Sequence, residues 1–283
     1  MDKNFRLYFI VLFSLFFIFI CLLISINFQH EAQRIAEARE SLEDEDYFFS
    51  CLALNVLSAS RMPERIKTGI KNDMERSRDF LDALSAVIEE DPFLWILVDK
   101  ENSLDREYEP DDLSDIRNSG GNLTGHMIRK AALESLTLMT AAAEEDGVEL
   151  AVLSAYRSYF YQSRVYVSLV SSLGQQEADR VSAKPGHSQH QLGLTVDFNS
   201  LENSFAGMPQ GIWLAENASR FGWSISYPAG YEDVTGYDWE SWHYRYVGAE
   251  LALFINKYFN GIQQYALVFL REFSSALKKQ EPF

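Results

Sequence analysis

The chain has 283 residues, of which 47% are hydrophobic and 23% are charged. This balance excludes a chain that is disordered throughout, and the length allows one large domain or two small ones of roughly 100–200 residues each. Because 41 acidic residues outnumber 25 basic ones and give a net charge of −16, we expect no binding to nucleic acid. The two cysteines, Cys21 and Cys51, exclude a disulfide framework and a cysteine-based zinc site.

The N-terminal segment, residues 1–30, predicts a membrane anchor. Residues 7–28 contain no Asp, Glu, Lys or Arg, and about 20 such residues cross a bilayer as a helix. A cleaved signal peptide would have a shorter apolar core of about 7–15 residues, so a single uncleaved span is favoured. Because Lys3 and Arg6 precede the span, we expect a cytoplasmic N-terminus, with the rest of the chain in the periplasm or on the cell-wall side.

The rest of the chain falls into three parts by composition. Residues 31–91 are rich in Ala, Glu, Arg and Leu, which predicts a helical stalk. Residues 92–258 contain both helix-like and strand-like hydrophobic patterns, which predicts a folded domain. Residues 259–283 predict a C-terminal helical tail, because apolar residues such as Phe269 and Phe273 recur at helical spacing and would pack on the domain or its neighbour.

Within the domain, helices alternate with short strands. The apolar run Phe93–Lys100 predicts a strand. An amphipathic helix is predicted from His126 to Gly147, since one face of it carries Ala132, Leu136, Met139 and Ala143. A second helix is predicted from near Tyr159 to Gly174, after a strand within residues 148–156.

Two later segments alternate between polar and apolar residues, as half-buried strands do. In residues 194–198 Asp197 lies on the polar face, and in residues 242–247 His243 and Arg245 share one face. Helices combined with short antiparallel strands predict an α+β domain, a small antiparallel sheet with flanking helices.

Histidines and carboxylates cluster in the second half of the domain. His190 and Asp197 are seven residues apart, a spacing at which neither a continuous helix nor a continuous strand would let both hold one ion. Gly193 supplies a break between them, so a loop could carry His190 while the following strand delivers Asp197. The sequence therefore predicts a metal site built from a loop and a strand.

The third ligand of this site is predicted to be His243. His187, three residues before His190, is a rival ligand that ranks below Asp197. Two imidazoles and one carboxylate suit Zn²⁺ and leave a fourth position open for water, as in catalytic zinc sites. Glu240, three residues before His243, is placed to deprotonate that water without being a ligand.

Three motifs within these segments resemble one known family. Ser188-Gln-His-Gln-Leu-Gly-Leu-Thr-Val-Asp197 resembles the SxHxxGxxxD signature of the VanY-type D-alanyl-D-alanine carboxypeptidases, zinc peptidases of the bacterial cell wall. Residues 154–162 resemble that family's SGYRSxxxQ segment, and residues 240–247 resemble its ExWHxRYV segment. The segment Phe93–Leu104, with the stretch Tyr108–Leu113, resembles the family's entry strand and turn, so the resemblance covers about Pro92 to Gly248.

The resemblance implies a hedgehog/DD-peptidase-like α+β fold and a role for each matching residue. The implied zinc ligands are His190, Asp197 and His243. The implied catalytic residues are Glu240, as base, and Arg157, which would bind substrate and stabilise the oxyanion. The implied contacts to the terminal residue of the substrate are Gln162 and Ser188.

By the same resemblance the chain would remove the C-terminal D-alanine from peptidoglycan stem peptides. An L,D-carboxypeptidase acting on tetrapeptide stems remains open, since relatives with the same metal motif divide between these two bonds. The motifs also leave open a non-catalytic cell-wall binding protein and a metal-dependent endopeptidase or amidase that shares the fold. Ala155, Thr195 and Ser241 depart from the usual family residues, but none of them is a predicted ligand or base.

Overall fold

The computed structural model of the chain describes residues 30, 33–34, 46–116 and 126–279. It divides into two units, Met1–Cys51 and Leu52–Phe283. The described residues of the first unit are helical. The predicted membrane anchor, except for residue 30, and residues 31–32 and 35–45 of the predicted stalk lie outside the described residues. Among the residues that are described, no helix is both long and apolar enough to cross a membrane.

The second unit combines helices with two small sheets. Its described helices are α1 (residues 52–59), α2 (Glu64–Arg76), α3 (Asp79–Glu89), α4 (Lys130–Glu145), α5 (Tyr159–Leu173), α6 (Gln175–Val181), α7 (Pro209–Asn217), α8 (Glu232–Thr235), α9 (Ala249–Tyr258) and α10 (Gln263–Lys278). Its described strands are β1 (Leu113–Asp115), β2 (Met127–Arg129), β3 (Val152–Ser154), β4 (Thr195–Phe198), β5 (Trp223–Ile225) and β6 (His243–Tyr246).

The larger sheet has four antiparallel strands in the order β3-β4-β6-β5, and β1 pairs separately with β2. Strand β4 and the residue before it present Leu194, Val196 and Phe198 to the main core, which leaves Asp197 on the opposite face, as the alternation predicted. That opposite face is also buried. The predicted α+β class with a small antiparallel sheet and flanking helices is confirmed.

One face of α4 belongs to the main core. The four residues that the helical spacing selected, Ala132, Leu136, Met139 and Ala143, are all fully buried. The helix begins at Lys130 rather than at His126, because Met127–Arg129 pair with Leu113–Asp115 as strand β2. The second predicted helix is observed as α5.

The prediction of a strand over Phe93–Lys100 is wrong. Residues Pro92–Trp95 form a 3₁₀ helix instead, and no strand follows it before Lys100. The reason is local: the Asp91 side chain accepts a hydrogen bond from the backbone N–H of Phe93 at 3.0 Å, and Pro92 has the φ angle of a first helical residue.

Helices α2, α3 and α10, which lie in the predicted stalk and tail, belong to the same unit as the residues of the predicted domain. Phe80 of α3 is fully buried, and its ring centroid lies 5.3 Å from that of Phe254 in α9 and 5.9 Å from that of Phe269 in α10. An apolar stripe on a helix is stable in water only when another element covers it. Here α3, which precedes the predicted domain in sequence, and α10, which follows it, cover each other's apolar residues.

Candidate active site

The turn that carries His190 is a 3₁₀ helix, Gln189–Leu192, with all four residues buried. It ends at Gly193, which has a φ of +68°, in the left-handed region that favours glycine. A Cβ atom at Gly193 would lie 2.9 Å from Cδ2 of Leu113, so a larger residue would also clash with the small sheet. The chain passes from this turn into β4, as predicted from the sequence.

The strand pairing then brings the second and third predicted ligands together. Asp197 on β4 is the direct partner of His243 on antiparallel β6. Oδ1 of Asp197 lies 3.0 Å from Nδ1 of His243, and Oδ2 lies 3.2 Å from Nε2 of His190. One ligand atom from each of the three residues lies within 4.8 Å of the others, and all three residues are buried.

The chemistry of His190 fits a metal ligand. Its Nδ1 lies 2.7 Å from the carbonyl oxygen of Ala155, which can only accept a hydrogen bond, so Nδ1 carries the proton and Nε2 has the free lone pair. Burial, together with the nearby charge of Arg157, lowers the pKa of His190 to about 4, which keeps the ring neutral at pH 7. Nε2 is buried without a hydrogen-bond partner among the described residues, although it faces the Asp197 carboxylate. Because this nitrogen and the carboxylate can both only accept, a cation between them would satisfy both.

His243 faces two carboxylates. Its Nδ1 lies 3.0 Å from Asp197 and 3.2 Å from Oε2 of Glu240. Burial opposes a charge on the ring, but these two carboxylates outweigh it and raise the pKa of His243 to about 9. The position next to Nδ1 therefore favours positive charge, as a site for a divalent cation must.

All seven predicted site residues line one cavity of about 380 Å³. They are Arg157, Gln162, Ser188, His190, Asp197, Glu240 and His243. The Glu240 side chain is 17% exposed, so it can reach a molecule in the cavity as well as His243.

The predicted substrate-binding residues form the wall of this cavity beside the metal turn. The backbone N–H of Arg157 donates to the carbonyl of His190 at 3.2 Å, which holds Arg157 next to that turn. Nε2 of Gln162 donates to the carbonyl of Ala183 at 2.7 Å, while its Oε1 is buried and has no hydrogen-bond partner within the described part of the chain. Ser188 is 3% exposed and lies in the same wall.

The rival ligand His187 lies outside the cluster. Its Nδ1 lies 2.7 Å from the carbonyl oxygen of Asp99, to which it donates, and it does not line the cavity. The structure thus places this histidine in a supporting hydrogen bond and not among the candidate ligand atoms.

Sequence reasoning missed the residues that shape the site around Glu240. Asn203 brackets that segment, because its Nδ2 donates to the carbonyl of Trp239 at 2.8 Å and its Oδ1 accepts from the N–H of Ser241 at 3.1 Å. The Tyr227 ring packs on His243 with a centroid distance of 4.7 Å, and burial raises the pKa of Tyr227 well above its ordinary value. Asn203 begins a short 3₁₀ helix and Tyr227 lies in a bend after β5, and neither segment has a periodic signal in the sequence.

Comparison with known proteins agrees with this geometry. Residues 125–249 match the family model described as VanY, D-alanyl-D-alanine carboxypeptidase. A D-alanyl-D-alanine carboxypeptidase of Enterococcus faecalis is 31% identical in an alignment of 218 residues that covers 72% of this chain and 79% of that protein. The chain belongs to the VanY family. The predicted family is confirmed.

The chain is also similar to a putative carboxypeptidase, YodJ, of Bacillus subtilis. It is 39% identical in an alignment of 165 residues that covers 55% of this chain, and the chain spans 60% of the length of that protein. Among solved structures, the LdcB LD-carboxypeptidase is 35% identical with a TM-score of 0.56, over 60% of this chain and 83% of LdcB. A vancomycin-resistance D,D-pentapeptidase VanY variant in complex with Zn(II) is 31% identical with a TM-score of 0.54, over 62% of this chain and 99% of that one.

Proposed function

We propose that this chain is a zinc-dependent D-alanyl-D-alanine carboxypeptidase that removes the C-terminal D-alanine from peptidoglycan stem peptides. One observation carries the proposal: His190, Asp197 and His243 converge on one point at the wall of a cavity, with the Glu240 carboxylate beside them. Three protein ligands with a carboxylate that is free to act as a base make a hydrolytic zinc site.

Zinc held by the two histidines and Asp197 would supply a Lewis acid and a water activated at neutral pH. The residues of this chain supply the rest. Glu240 takes the proton of the attacking water and passes it to the nitrogen of the departing D-alanine. The Arg157 guanidinium stabilises the negative charge that develops on the carbonyl oxygen.

The substrate's last residue would be held in the part of the cavity lined by Gln162 and Ser188. The amide oxygen of Gln162 has no partner among the residues that the structure describes, so it is available to an N–H of the bound peptide. The Ser188 hydroxyl can donate to a carboxylate, the group at the end of the peptide.

A second candidate function is L,D-carboxypeptidase activity on tetrapeptide stems, which the 35% identity to the LdcB LD-carboxypeptidase favours. A role in cell-wall binding without catalysis is disfavoured, because a structural zinc site has no need for a base such as Glu240 next to an open coordination position.

To separate these functions, the purified full-length protein is incubated with stem pentapeptide and, separately, with stem tetrapeptide, and D-alanine release is followed by mass spectrometry. We expect release from the pentapeptide, its loss after zinc is removed with a chelator, and its return when zinc is added back. Release from the tetrapeptide alone would assign the L,D activity. No release from either peptide, in protein shown to hold one zinc, would contradict both assignments.

We further propose that residues 1–30 anchor the protein as a single span with the catalytic domain outside the cytoplasm, where peptidoglycan lies. The uncharged run over residues 7–28, with Lys3 and Arg6 before it, supports this. We expect the protein to stay with the membrane fraction after a sodium carbonate wash and to be degraded when protease is added to intact spheroplasts. Release into the wash, or protection from the protease, would count against the anchor or its orientation.

A further inference from the structure

The C-terminal helix α10 lies beyond the residues that the family model matches, 125–249, yet it contacts the metal-binding turn. Its first residue, Gln263, is 1% exposed. A buried amide carries two donors and an acceptor that all require partners, so its position in the structure is strongly constrained.

Gln263 joins the turn to the sheet. Its Nε2 donates to the carbonyl of Ser224 in β5 at 3.2 Å, and its Oε1 accepts from Nε2 of Gln189 at 3.5 Å. The network closes through Ser226, whose hydroxyl donates to Oε1 of Gln189 at 2.7 Å. All four residues are buried.

The network ends next to both histidine ligands. Gln189 directly precedes His190 in the 3₁₀ turn. On the other side, the backbone N–H of Ser226 donates to the carbonyl of His243 at 3.2 Å. The Gln263 amide therefore lies between the two segments whose separation sets the distance between the ligand atoms of His190 and His243.

The next residue of α10 supports the segment that leads into the same turn. Nε2 of Gln264 donates to Oδ2 of Asp99 at 2.7 Å, and the Asp99 carbonyl accepts from Nδ1 of His187, three residues before His190. Oδ1 of Asp99 accepts from the backbone N–H of Asn102 at 2.8 Å, which fixes this aspartate.

We propose that Gln263 is a positioning residue for the metal centre, which acts on His190 through Gln189 and on His243 through Ser226. The inference rests on the metal site of the proposed function. Outer residues that hold metal ligands in place change metal affinity when they are replaced, because the ligands must then be ordered at the moment of binding.

The test is the zinc dissociation constant of the full-length protein in detergent, measured by competition with a chromophoric chelator in the absence of peptide. We expect Gln263→Leu to raise that constant about tenfold. The matched control is Leu270→Ala on the same helix, a fully packed apolar residue 1% exposed, which should lower the unfolding temperature but change the zinc constant less than twofold.

A double variant tests the route of the effect. The double variant carries both Gln189→Met and Gln263→Leu. If Gln263 acts through Gln189, the zinc dissociation constant of this variant should be no higher than the larger of the two constants measured for the single variants. Gln263→Asn, which keeps the amide but shortens the side chain, should give an intermediate zinc constant and provides the same information should Gln263→Leu not fold.

The proposal is overturned if the variants at Gln263 bind zinc as the unchanged protein does while losing stability as Leu270→Ala does, or if the effects of the two glutamine variants simply multiply. Because zinc binding is measured without substrate, a failure of the protein to cleave the stem peptides would count against the proposed function and leave this comparison intact.

Discussion

Replacing Glu240 with Gln should lower kcat for D-alanine release by about 10²–10⁴-fold, the usual contribution of a general acid–base residue. The amide keeps the size of the side chain but cannot take a proton from water or return it to the leaving amine. The zinc content should remain near one per chain, because the three ligand atoms come from His190, Asp197 and His243. The measurement is steady-state kinetics on the pentapeptide with zinc determined on the same samples.

The matched control for this variant is Glu216→Gln, an exposed glutamate at the end of α7 that does not line the cavity. It makes the same chemical change, and its kcat should stay within twofold of the unchanged protein. If Glu240→Gln kept full activity, the base would have to be another group, and the proposed mechanism would be wrong.

The second large effect is expected from Asp197→Asn. Asp197 contacts both histidines, at 3.2 Å and 3.0 Å, and it supplies the negative charge of the ligand set. An amide is neutral and a poor zinc ligand, so the zinc content should fall from about one per chain to near zero. Activity should fall at least about a thousandfold, the equivalent of about 4 kcal/mol in transition-state stabilisation.

The control for this second variant is Asp233→Asn in α8, where the aspartate is exposed and does not line the cavity. Its zinc content and its activity should match those of the unchanged protein. The far-ultraviolet circular dichroism of Asp197→Asn should also be unchanged, because the β4–β6 pairing uses backbone groups. Full zinc occupancy in Asp197→Asn would remove this residue from the ligand set.

Local patterns were enough to predict α4, β4, β6 and the turn before β4. The 3.6-residue spacing of Leu136 and Met139 identified the buried face of α4 because a helix of that length has one side against a core. The two-residue alternation around Asp197 and His243 identified β4 and β6 for the equivalent reason. Gly193 marked the turn because few other residues take up its backbone conformation.

One error came from a segment in which a local pattern has two solutions. The apolar run after Asp91 suited a strand by composition, but a single side-chain cap and a proline turned its first residues into a 3₁₀ helix. For α3, within the predicted stalk, Phe80 and Leu84 are both fully buried. The composition of such a helix says nothing about which distant helix covers its apolar face.

The sequence was thus sufficient for the family, the α+β class and the residue types of the metal site, since these depend on short motifs and on periodicity within one element. The tertiary structure alone decided that His187 binds a carbonyl, that Asn203 brackets Glu240, and that α10 contacts the metal turn through Gln263. Those contacts join residues that are between 36 and 88 positions apart. They arise from the way separate elements pack, which no local pattern encodes.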